Sequence, residues 1–108
     1  KQDKGKDFRW VSQKPLTSFK SFKLGASLSS FSVNSDSFTV ANAHHQFQSE
    51  VALENPRKIS ISKDDRRIYQ IRFDDEKPID GPGKWHEFKL KVGEQIIGIY
   101  GCYSVVLL

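Results

Sequence analysis

Residues 85–103 form two short segments of strand-like alternation on either side of Gly93-Glu94. In the first segment, Phe88 and Val92 fall on one side of an extended chain, and charged side chains fall on the other. The second segment is apolar on both sides and contains two glycines, which predicts a buried strand that another backbone approaches closely. We therefore expect a β-hairpin with a tight turn at Gly93-Glu94.

Similar short alternating segments occur along the rest of the chain, separated by turn-forming residues. The strand candidates are residues 8–11, 19–24, 28–33, 38–41, 47–53, 59–61 and 68–73. No segment carries the apolar stripe of an amphipathic helix. Eight Phe, three Tyr and two Trp provide material for a core. The pattern predicts an all-β barrel, sandwich or prism of about eight to ten short strands.

The length of 108 residues is typical of one modest domain. The chain contains no Met, and it ends in the apolar run Val105-Val106-Leu107-Leu108. We expect a flexible basic tail at residues 1–6, followed by a single all-β domain at residues 7–108. We also expect this chain to be a fragment of a longer protein, because an unpaired apolar strand at a terminus would expose a sheet edge.

Positive charge is concentrated near the N-terminus. The chain carries a net charge of +4, whereas residues 1–23 alone hold seven basic and two acidic side chains. Aromatic and basic residues alternate there, with Arg9, Trp10, Lys20 and Lys23 as candidate partner-binding residues. Such a mixture suits an acidic protein surface or a nucleic acid. It also suits a strand whose charged face is simply solvated.

The sequence lacks the motifs that are typical of several classes of function. The chain has no phosphate-binding loop, nucleophile elbow or paired catalytic carboxylates, so we expect neither an enzyme nor a cofactor. No apolar run approaches the roughly 20 residues of a membrane-spanning helix. A single cysteine, Cys102, excludes a disulfide within the chain and favours a reducing, intracellular compartment.

Two polar clusters resemble metal ligands only in composition. Adjacent histidines such as His44-His45 would point to opposite faces of a strand, so we expect a polar turn. The run Asp74-Asp75-Glu76, with Asp80 nearby, lacks the spacing of a calcium loop, and we expect a solvated loop. Trp85 and His86 follow this glycine-rich and proline-rich loop and are further candidates for contact with a partner.

The C-terminal half also resembles the jacalin-related lectins over residues 57–103. The likeness is carried by Lys58-Ile59-Ser60-Ile61, by the strand at 67–73, and by Gly93-Glu94-Gln95-Ile96 with the glycines that follow. That resemblance implies a Greek-key β-prism. The family's sugar-binding glycine pair and Gly-x-x-x-Asp loop have no matching positions in this chain, so no sugar-binding residue is carried over.

These observations together predict a non-enzymatic binding or scaffolding β-domain of a larger protein or assembly that mediates protein–protein interaction. Two alternatives stay open. One is a carbohydrate-binding, jacalin-like lectin domain, and the other is a nucleic-acid-binding β-barrel.

Overall fold

A computed structural model describes residues 6–11, 14–39 and 45–103. Within these ranges the chain forms nine strands and no helix, so the predicted all-β class is confirmed. The strands are β1 (Lys6–Val11), β2 (Ser18–Leu24), β3 (Ser27–Val33), β4 (Asp36–Thr39), β5 (Gln46–Ala52), β6 (Lys58–Lys63), β7 (Ile68–Phe73), β8 (Lys84–Lys89) and β9 (Gly98–Tyr103).

The largest sheet has four antiparallel strands in the order β4-β3-β2-β5. Strands β2, β3 and β4 are joined by tight turns, and β5 returns to lie beside β2, which is the Greek-key arrangement. Both turns lie where the sequence predicts them, and each has a residue in the left-handed region: Gly25 at φ 64° and Asn34 at φ 56°. The second turn is shorter than the predicted run of residues 34–37, because Asp36 and Ser37 already pair with β3 as part of β4.

Asn34 also anchors the chain that enters this sheet. Its Oδ1 accepts hydrogen bonds from the backbone N–H of Thr17 at 2.8 Å and of Ser18 at 3.3 Å. Its Nδ2 donates to the carbonyl oxygen of Pro15 at 3.2 Å. The side chain that permits the turn therefore also fixes the start of β2.

The remaining strands form a three-stranded sheet, in the order β7-β6-β8, and a two-stranded β1-β9 ribbon. The hairpin expected at 85–103 is therefore wrong, because β8 pairs with β6 and β9 pairs with β1. The tight turn itself is present, since Glu94 N–H donates to Lys91 C=O at 3.0 Å and Gly93 has φ 89°. It redirects the chain between sheets instead of closing a hairpin.

The burial expected for the 85–103 segments is also corrected. Phe88 is 55 % exposed and Val92 is 99 % exposed, because this side of the segment faces solvent instead of the core. The predicted close backbone approach is found at Gly98. A Cβ atom there would lie 2.9 Å from the carbonyl oxygen of Trp10 on the paired strand β1.

The core lies between the four-stranded and three-stranded sheets. Phe19 in β2 is almost completely buried and packs against Phe31 of β3 and Phe73 of β7, with ring centroids 5.8 and 5.1 Å apart. The other buried members of this cluster are Trp10, Leu16, Val33 and Leu53. Residues from β1, β2, β3 and β7 thus share one apolar cluster, which holds the three sheets together.

Some expectations fall on residues outside the described ranges. These are the basic tail apart from Lys6, which begins β1, together with residues 40–41, His44 and the C-terminal run at 105–108. In the described part of the chain, no helix is long and apolar enough to span a membrane.

Candidate functional site

A cleft of about 440 Å³ lies on the three-stranded sheet. Its centre is Ser60 in β6, which stands directly opposite Arg72 in β7 and Glu87 in β8. Residues 74–78 of the loop after β7 line one part of the cleft, and residues 85–87 of β8 line another. The sheet therefore supplies the floor, and the loop supplies a raised border.

Arg72 connects the sheet floor to this border. Its side chain is only 3 % exposed, and its Nη1 donates to Glu76 Oε2 at 3.0 Å. Its Nε and Nη2 both donate to Gln70 Oε1, at 3.2 and 3.1 Å. A guanidinium that is buried must find such partners, because an unpaired buried charge is strongly unfavourable. These bonds fix the position of Glu76 at the border of the cleft.

Gln70 holds the C-terminal end of the same loop against the sheet. Its Nε2 donates to the carbonyl oxygen of Ile79 at 2.6 Å, and the backbone N–H of Ile79 donates back to Gln70 Oε1 at 3.0 Å. The side-chain amide of Gln70 therefore bonds to the backbone N–H and C=O of Ile79 as a neighbouring strand would. Because Gln70 also accepts from Arg72, the loop from residue 74 to residue 79 is held through one buried polar network.

Asp74 holds the N-terminal end of the loop against β6. Its Oδ1 accepts from the backbone N–H groups of Arg57 at 2.7 Å and Lys58 at 3.2 Å, and its own N–H donates to the carbonyl of Lys58 at 2.9 Å. Asp74 adopts φ 52°, which a short polar side chain tolerates. The run predicted as a solvated loop is therefore structured at Asp74 and Glu76, and exposed at Asp75 and Asp80.

The same carboxylates do not form a cation site. Asp74 and Glu76 are engaged by backbone N–H groups and by Arg72. No group of three or more His, Cys, Asp or Glu side chains suited to a metal ion occurs within the described ranges.

Trp85 is placed by the turn that precedes β8. Gly83 has φ 102°, and a Cβ atom there would lie 2.4 Å from Ser62 Oγ and 2.7 Å from Tyr69 Cδ2. Ser62 Oγ also donates to the carbonyl oxygen of Pro82 at 3.0 Å. This close approach, which only glycine permits, draws the loop onto the sheet and leaves Trp85 about 40 % exposed beside the cleft.

Charges of both signs surround the cleft. Lys58 Nζ lies 4.0 Å from Glu87 Oε2, and Lys89 Nζ lies 3.8 Å from Glu87 Oε1. Asp75 and Lys77 are exposed on the loop border. This arrangement offers hydrogen-bond donors and acceptors around one aromatic surface, which suits a polar ligand with an apolar group.

The structure distributes the six predicted partner-binding residues over three places. Trp85 and His86 both border the cleft, but His86 is half-buried and pairs with Ile61, so its side chain lies on the face of β8 opposite to that of Trp85 and Glu87. Lys20 and Lys23 lie on β2 in the four-stranded sheet. In the β1–β9 ribbon, Arg9 is exposed.

Trp10 requires a correction. It is only 4 % exposed and belongs to the core, so its ring is not available to a partner. Ser60, Arg72 and Glu76 also line the cleft, and none of them is among the partner-binding residues predicted from the sequence. Period-two alternation places Arg72 on the face of β7 opposite to its apolar residues, and this pattern predicts that the Arg72 side chain is exposed to solvent. In the structure the loop at 74–79 covers that face.

Comparisons of the chain with protein-family models, curated proteins and solved structures give no match. Its function is therefore inferred from the geometry of the cleft.

Proposed function

We propose that this protein is a non-enzymatic binding domain that recognises a protein partner at the cleft on the β7-β6-β8 sheet. The observation that carries the proposal is the half-exposed ring of Trp85 beside the cleft. The loop that borders this cleft is held in place by hydrogen bonds to the buried side chains of Gln70 and Arg72. Tryptophan is among the residues that contribute most to binding between proteins once the complex buries it.

Preorganisation supports the same proposal. Trp85 lies on a strand, and the loop border is held by the buried bonds of Arg72, Gln70 and Asp74. Binding to such a site orders few groups, so little conformational entropy is lost on association. The exposed ions Lys77 and Asp75 provide a polar rim, which in protein interfaces selects the partner more than it adds affinity.

The expected partner is a polypeptide segment with one apolar side chain that contacts Trp85 and with polar groups that reach Ser60 and the charged rim. The apolar contact supplies affinity, because burying aromatic surface is favourable. The hydrogen bonds supply orientation.

Carbohydrate binding is the second candidate, and the closeness of Trp85 to the hydroxyl and carboxylate groups of Ser60 and Glu87 favours it. The resemblance to the jacalin-related lectins stays a proposal. That family's β-prism has three four-stranded Greek-key sheets, whereas the sheets described here have four, three and two strands, and the four-stranded sheet has the Greek-key order. The cleft uses none of the loops through which that family binds sugars.

A display library of random peptides panned against the immobilised protein tests the proposal. We expect a recurring peptide motif whose binding is lost in Trp85→Ala and kept in Phe47→Ala, an exposed aromatic on the other sheet. Thermal unfolding confirms that both variants fold. A glycan array probed with the same proteins separates the candidates, because Trp85-dependent glycan binding without peptide binding would replace the protein partner with a carbohydrate.

A further inference from the structure

We infer that the outer face of the β4-β3-β2-β5 sheet binds single-stranded nucleic acid, at a site separate from the cleft. Along β2, Phe19 and Ser21 point into the core, so the alternate residues Lys20 and Phe22 lie on the opposite face. Phe22 pairs directly with Phe47 of β5. This places two aromatic side chains next to each other on neighbouring strands, away from the core.

The aromatic platform consists of the exposed ring of Phe47, which the half-buried ring of Phe22 supports edge to face. Their centroids are 6.1 Å apart with an interplanar angle of 83°, and Phe47 is 58 % exposed. An aromatic side chain on the outer face of a sheet leaves apolar surface in water. Bases of single-stranded nucleic acids stack on such rings regardless of sequence, and sheets that bind RNA carry aromatics on their exposed face.

Lys20 adds a positive charge to the platform. Its Nζ lies 5.3 Å from the centroid of the Phe22 ring and 5.9 Å from that of Phe47. Among the described residues the ion pairs are Lys58–Glu87, Lys89–Glu87 and Arg72–Glu76, and none involves Lys20. A phosphate could therefore approach Lys20 while its base contacts Phe47, without breaking an existing ion pair.

The rest of this face is flat and polar. Ser32 pairs with Lys20, and Ser30 pairs with Phe22 across the β2–β3 ladder. These serines share hydroxyl hydrogen bonds with β4, at 2.8 Å to Ser37 and 3.1 Å to Thr39. Ser30 is only 7 % exposed, so Ser32 and the exposed Ser37 are the hydroxyl groups that a ligand can reach here.

Further positive charge lies near the end of the β2–β3 hairpin. Arg67 Nη1 is 3.3 Å from Ser27 Oγ, and Ser27 pairs with Leu24, two residues after Phe22. On the outer face itself Lys20 carries the positive charge and Glu50 stands opposite it, so the favoured ligand has an anionic group that reaches Lys20 and a planar group that reaches Phe47. The aromatic pair favours nucleic acid over an acidic polypeptide, because only the former has a planar group at every unit to stack.

Fluorescence anisotropy with labelled oligo-dT and oligo-U strands tests the inference. The wild-type protein should bind both, with an affinity that falls steeply as the salt concentration rises.

Phe47→Ala should weaken binding about tenfold, which corresponds to the loss of one stacked base. Lys20→Gln should weaken binding and reduce the salt slope by about 0.7, the value for one phosphate contact on a single strand. Glu50→Gln should strengthen binding, because Glu50 pairs with Lys20 across β2–β5.

Phe88→Ala is the matched control, since Phe88 is equally exposed on the other sheet and should bind like the wild type. Trp85→Ala should also bind like the wild type, which separates this site from the cleft. The inference is overturned by any of three results. One is the absence of binding to single strands, another is an equal effect of Phe47→Ala and Phe88→Ala, and the third is equally strong competition by polyglutamate, which would indicate an acidic polypeptide ligand.

Discussion

The guanidinium of Arg72 lies 3.0 Å from the carboxylate of Glu76, on the face of β7 that period-two alternation predicts to be exposed to solvent. The pair joins the sheet floor of the cleft to its loop border. Without Glu76, a charge that is almost fully buried would lose its ionic partner.

Replacing Glu76 should therefore destabilise the fold. We expect Glu76→Ala to lower the free energy of unfolding by about 3 kcal/mol, because breaking a buried ion pair leaves one charge without compensation. Glu87→Ala is the control, since its contacts to Lys58 and Lys89 are exposed and should contribute less than about 1 kcal/mol. Urea denaturation measures both, and equal losses would contradict the structural role of the Arg72–Glu76 pair.

The turn between β6 and β7 should make stability depend on pH. Asp64 accepts hydrogen bonds from the Tyr69 hydroxyl at 2.5 Å and from the backbone N–H groups of Arg66 and Arg67. These bonds, the tyrosine's first, lower the pKa of Asp64 from 3.8 to about 2. A lowered folded pKa means that this contribution to stability is complete above pH 3.8 and is lost as the pH falls toward about 2.

Unfolding of the wild type and Asp64→Asn across acidic pH tests this prediction. The wild type should be more stable than the variant by a constant margin between pH 3.8 and pH 10.0, and the margin should shrink below pH 3.8. At the alkaline end, the Asp64 hydrogen bond raises the pKa of Tyr69 above 10.0, so its contribution should persist to that pH and disappear above it. A margin that stays constant across the acidic range would contradict the hydrogen-bonded turn.

Gly83 should tolerate no side chain. A Cβ atom at this position would lie 2.4 Å from Ser62 Oγ and 3.1 Å from the backbone nitrogen of Lys63, in a conformation with φ 102°. We expect Gly83→Ala to cost about 3 kcal/mol, from the combined strain of backbone and contacts. Gly25→Ala is the matched control, because φ 64° is strained there but nothing lies within 4 Å, and it should cost about 1 kcal/mol. Thermal or urea unfolding that ranks the two variants in the opposite order would contradict the close approach at Gly83.

Phe19 should be the most sensitive aromatic position of the four-stranded sheet. Truncation to Ala removes ring contacts to Phe31 and Phe73, which connect two sheets, and should cost about 4 kcal/mol. Phe47→Ala on the opposite face should cost less than about 1 kcal/mol, because that ring is mostly exposed. Equal losses in urea denaturation would mean that the assignment of the two faces is wrong.

Local features of this fold were predictable because they depend on residues close together in the chain. The turns at Gly25, Asn34 and Gly93 follow from short-range conformational preferences, and all three have positive φ. The alternation of Ile59 and Ile61 with serines correctly predicts β6. Much of the surface at the cleft could not be predicted, because Arg72 and Ser62 alternate onto a face that the loop between β7 and β8 folds back to cover.

The sequence by itself determined the class of this protein, the approximate positions of most strands and the places of the turns, since period-two alternation and turn chemistry act over a few residues. The tertiary structure alone decided that β8 pairs with β6 and β9 with β1, instead of with each other. It also decided that Trp10 enters the core and that Trp85 stays at the surface. Strand pairing and burial depend on which distant segments meet, and this depends on the packing of the whole chain.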